Sequence, residues 1–160
     1  MSKATDYTPE EWKVISSAPM MAGLLVSLSD MSGPIGLAKE AMAVVKAVND
    51  TASGTTAELI KSVADEIRSQ GGRSDLSEIR SDPANARAAL IDRCKQAVAL
   101  VEQKSPAEAQ DYKRWLLSMA HSTAAASKEG GFLGFGGTVV SETETAAVRD
   151  LALALGMKEH

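Results

Sequence analysis

The chain has 160 residues and a mass of 16.8 kDa, a length that suits one domain able to bury a single core. With 44% hydrophobic and 24% charged residues it falls in the globular range, which excludes wholesale disorder. A formal charge of −4, from 17 Lys+Arg against 21 Asp+Glu, offers no general attraction to a phosphate backbone, so nucleic acid is not an expected partner.

Aromatic residues make up only 4% of the chain, and the apolar content is carried by Ala, Leu, Val and Met. That mixture favours helices over strands. The single cysteine, Cys94, cannot form an intramolecular disulfide, which excludes a secreted staple framework and fits a reducing compartment. The N-terminus has no apolar run of a signal peptide, and Ser2 stands where myristoylation needs glycine, so a cytoplasmic protein is expected. Residues 1–7 are expected to be disordered or loosely attached.

The first element is a helix from about 9 to 29, with a kink or break at Pro19. It opens on Thr8-Pro9-Glu10-Glu11, a capping box with Pro at the first helical position. Its stretch from Val14 to Ser29 is uncharged but spans 16 residues with four Ser, a Pro and a Gly, short of the roughly 20 apolar residues a bilayer requires. A buried helix is expected there, and no transmembrane segment. The second helix, about 34 to 49, is apolar over most of its circumference (Ile35, Leu37, Ala38, Ala41, Met42, Val44, Val45, Val48), which predicts a central position.

A third helix, about 56 to 70, begins at Thr55-Thr56-Ala57-Glu58 and ends at Gly71-Gly72. A charged connector with one turn near Leu76 to Ile79 leads to Asp82-Pro83, which starts a fourth helix of about 83 to 104. Its stripe of Ala86, Leu90, Cys94, Ala97 and Val101 places the thiol mid-stripe as inert packing. The fifth helix, about 106 to 129, opens on Ser105-Pro106-Ala107-Glu108 and shows the clearest face: Tyr112, Trp115, Leu116, Met119, Ala120 and Thr123. The last, about 142 to 155, opens on Ser141-Glu142-Thr143-Glu144 and closes at Gly156, suited to a left-handed C-terminal position. The expected fold is an all-α, compact bundle of about six helices in one domain, residues 1–160.

Chemistry-bearing patterns are sparse. The segment Gly130-Gly131-Phe132-Leu133-Gly134-Phe135-Gly136-Gly137 holds five of the twelve glycines and both phenylalanines. It lacks the Gly-Lys-Ser/Thr of a phosphate loop and the preceding strand of a dinucleotide fingerprint. Two readings stay open: an exposed finger that binds a partner through Phe132, Leu133, Gly134 and Phe135, or a loop folded back over the ends of the fifth and sixth helices. His121, the only internal histidine, falls in a cationic row with Arg114 and Lys128, opposite the aromatic stripe. There is no pair of Glu-x-x-His motifs for a diiron site, no zinc set, and no nucleophile with an assignable base.

Asp30, Glu40, Glu129 and Glu144 cluster around two Gly-containing turns and are the candidate ligands for a divalent cation, though their spacing fits no EF-hand and acids near helix ends also cap and complement dipoles, as Glu144 does in its capping box. The segments from Leu24 to Val48 and from Ala120 to Leu155 share a loose layout of helix, Gly turn with nearby acid, and helix with an early Glu, which fits either a duplicated helix-turn-helix pair or only the common features of helix ends.

The stretch Ala124-Ala125-Ala126-Ser127-Lys128-Glu129-Gly130-Gly131, followed by Val140-Ser141-Glu142-Thr143-Glu144 and by Leu151 to Gly156, resembles the C-terminal signature of an uncharacterised bacterial all-helical family. More distantly it resembles the tellurite-resistance TerB-like group, small acidic helical proteins whose helix-turn-helix units carry an Asp-Gly turn followed by Ser-x-x-Glu. The similarity covers about a quarter of the chain, with Lys128-Glu129 in place of the Asp and an inserted segment from Phe132 to Gly137. It implies a helical bundle with a stress-associated binding or scaffold role and acidic residues as cation ligands. The expected function is therefore a non-enzymatic cytoplasmic binding or adaptor protein without a cofactor, engaging a protein partner or a second copy of itself. The alternatives are a TerB-like divalent-cation-binding protein and, more weakly, an enzyme whose site the sequence conceals.

Overall fold

A computed structural model describes residues 4–29, 33–70, 85–129 and 142–157. Among these residues six helices make an all-α bundle: α1 (Pro9–Ser29), α2 (Gly33–Gly54), α3 (Glu58–Ser69), α4 (Ala86–Lys104), α5 (Ala109–Glu129, preceded by a 3-10 turn Pro106–Glu108) and α6 (Glu142–Ala154). The described residues contain no strand. None of these helices is long and apolar enough to cross a membrane.

The predicted stripes are the core. Ala86, Leu90, Cys94, Ala97 and Val101 of α4 are all buried, as are Tyr112, Trp115, Leu116, Met119, Ala120 and Thr123 of α5. Side-chain contacts set the directions of the helices. Glu11 meets Lys104 and Ala18 meets Cys94, so α1 and α4 are antiparallel. Tyr7 meets Ser105 and Ile15 meets Tyr112, so α1 and α5 are parallel. Thr51 bonds to Trp115, and Val44 lies with Thr123 around Gly23, so α2 runs antiparallel to both α1 and α5.

The central helices are α1 and α5, not α2: each of the two packs against all five others. The small residues Ala18, Ala22 and Gly23 of α1 let neighbours come close, whereas α2 leaves Met42 74% exposed. At Gly23 the approach is close. A Cβ there would overlap the Val44 side chain and lie 3.0 Å from Thr123 Oγ1.

α1 also runs as one continuous helix through Pro19, without the break that was one of the two expectations there. Proline has no N–H, so the Ile15 carbonyl one turn earlier loses its helical partner. The Tyr112 hydroxyl donates to that carbonyl at 2.7 Å, and the buried oxygen is satisfied from a neighbouring helix. Burial pushes the Tyr112 hydroxyl well above its ordinary pKa, which keeps it a donor.

The N-terminal segment is attached at Tyr7, while Ala4, Thr5 and Asp6 before it stay exposed. It forms a 3-10 turn, Ala4–Asp6, and buries Tyr7, whose hydroxyl pairs with Ser105 Oγ while the Lys104 ammonium lies 5.5 Å from its ring centre. Behind it the first capping box closes reciprocally: Thr8 N–H donates to Glu11 Oε2 at 2.9 Å and Glu11 N–H to Thr8 Oγ1 at 3.2 Å.

Two other boxes do not form. Thr55 Oγ1 accepts instead from Ala57 N–H, and Ser105 is engaged by Tyr7. Glu108 reaches across the bundle and accepts from the Leu59 N–H at 3.0 Å, capping α3 from outside in place of a local side chain. The fourth box begins at Ser141, which lies outside the described residues. At the other end, Gly156 at φ +71° closes α6, with Met157 N–H bonded to Ala152 carbonyl and Gly156 N–H to Leu153 carbonyl.

Candidate functional site

The N-terminal half of α1 turns one face toward α3 and α4. Glu10, Lys13, Ser17 and Met20 follow one another at helical spacing, with Trp12, Ser16 and Met21 beside them. Together with Glu66, Ile67 and Gln70 of the α3 end and Arg93 of α4 they line a groove of about 560 Å³. Met21 and Ile67 are buried in its floor, and Trp12, Val14 and Met20 are half-buried along it. Its rim carries both signs of charge, Glu10 and Glu66 against Lys13 and Arg93.

Hydrogen bonds hold the wall between α1 and α3 in place. Glu66 accepts from the Trp12 indole N–H at 3.4 Å and from the side chain of Gln70 one turn on. The Tyr7 and Trp12 rings stand 6.0 Å apart at the groove's end, a tilted pair that fixes the indole from the other side. There, Lys104 binds Glu11 and holds its carboxyl below the usual range, with the Thr8 N–H adding to the effect. The result is a preformed, apolar-floored surface whose shape is set by a proline-containing helix and an externally capped one.

A second, shallower cleft of about 430 Å³ lies at the α2–α3 turn, lined by Thr51, Thr55, Thr56, Asp111, Arg114, Trp115 and Ser118. Its polar atoms are largely engaged within the chain. Thr51 Oγ1 donates to the Ala47 carbonyl and accepts from the Trp115 indole, Ser118 donates to the Trp115 carbonyl, and Arg114 pairs with Asp111.

Of the residues singled out from sequence, Phe132, Leu133, Gly134 and Phe135 lie outside the described residues, as does Asp30. Glu40 falls within α2 and Glu129 is the last residue of α5. The antiparallel pairing of those helices puts both at the same end of the bundle. Glu144, in the first turn of α6, is 2% exposed and faces the interior. Among the described residues no three His, Cys, Asp or Glu side chains gather as a metal-binding group. His121 and Arg114 are exposed on α5, as their opposition to the aromatic stripe implied.

Cys94 is fully buried, its thiol pushed up to about 12 by desolvation and directed at the Ala18 carbonyl. Such a thiol is neutral at physiological pH and unreactive. The groove residues Trp12, Met20 and Ile67 were missed in the sequence reading. A signal was present, since Trp12, Ser16 and Met20 repeat every four residues on a helix whose other faces are apolar too. No protein-family model, no curated protein and no solved structure matches the chain.

Proposed function

We propose that the chain is a non-enzymatic binding or adaptor protein, and that the groove between α1, α3 and α4 receives an amphipathic helical segment of a partner protein. One observation carries this reading: the groove follows α1 from Pro9 to Met21. At the helical rise of about 1.5 Å per residue that is a track of roughly 18 Å, the length of a helix of about three turns. Its apolar floor of Trp12, Met20, Met21 and Ile67 suits the apolar stripe of such a helix, and the two-signed rim would set its direction. Aromatic and methionine side chains are the residue types that anchor and adapt to bound segments of this kind.

The test places a photo-cross-linking amino acid at Ser17, inside the groove, and at Arg149, exposed on α6, in otherwise identical full-length proteins. The proposal expects a cross-linked protein from position 17 alone, lost when Met20→Glu is added to a chain that still melts cooperatively. Equal cross-linking from both positions, or a product indifferent to Met20→Glu, overturns it.

A further inference from the structure

We draw no further inference here: the strongest candidate, the open cleft beside Trp115 at the turn between α2 and α3, is lined by hydroxyls already bonded within the chain, and nothing in the structure shows what would occupy it.

Discussion

The arrangement at Pro19 gives a test of how α1 survives an internal proline. Tyr112→Phe deletes only the hydroxyl that donates to the Ile15 carbonyl at 2.7 Å. In the native background that carbonyl then has no N–H one turn ahead and no side-chain donor. A buried polar group left unsatisfied costs about 1–3 kcal/mol, and Tyr112 is fully buried, so a loss near the middle of that range is expected. In a Pro19→Ala background the backbone N–H restored at position 19 reaches the Ile15 carbonyl. Removing the hydroxyl there forfeits a second acceptor bond only, worth about 0.5–1.5 kcal/mol.

The two substitutions should therefore be coupled by about 1 kcal/mol, above the ~0.3–0.5 kcal/mol scatter of independent sites. Urea unfolding of the four proteins, followed by far-ultraviolet circular dichroism, gives the coupling directly. The single Pro19→Ala change mixes helix propensity with the restricted unfolded chain, and the cycle removes both effects. If Tyr112→Phe costs the same whether alanine or proline stands at position 19, the hydroxyl is not replacing the missing backbone donor.

At the contact of α1, α2 and α5, Gly23→Ala should destabilise the protein by about 1–3 kcal/mol despite alanine's better helix propensity, because the added methyl overlaps Val44; a higher melting temperature would show that the helices part freely. Glu11 has its carboxyl lowered below the ordinary value of 4.5 by the Lys104 bond and the Thr8 N–H, so its stabilising contribution is complete above that pH and fades as pH falls through the lowered value. Acid unfolding of Glu11→Gln should thus be flatter than wild type below pH 4.5, and coincident curves would remove Glu11 from the account. Cys94 should resist iodoacetamide at about pH 8 in the native protein and react once unfolded in urea; rapid native alkylation would contradict its burial.

The helices were legible because their periodicity is strong, and α4 and α5 bury the stripes their spacing indicates. What could not be read was which partner a polar side chain takes. Thr8-x-x-Glu11, Thr55-x-x-Glu58 and Ser105-x-x-Glu108 share one pattern, yet only the first closes on itself. Ser105 is claimed by a tyrosine 98 positions away and Glu108 by an amide 49 positions away, and no local rule ranks such competitors.

The inverted order of α1 and α2 has a similar origin. Hydrophobicity around the circumference pointed to α2, but how many neighbours a helix can hold depends on how near they come. On α1 the close approach is at Gly23, where a Cβ would meet Val44 and Thr123. The groove escaped notice because it is a property of three helices together, and its α3 and α4 walls are far from its α1 residues in the chain.

The cap that Glu108 lends to α3 bears on the order of assembly. A twelve-residue helix without its own terminal side-chain cap is too short to hold itself in water. The carboxylate that completes it leaves the ribosome 49 residues after Leu59, and by then α4 has been synthesised. During synthesis α3 therefore gains this cap only after α4 has emerged. The far wall of the groove is thus completed by a residue encoded well after that wall itself.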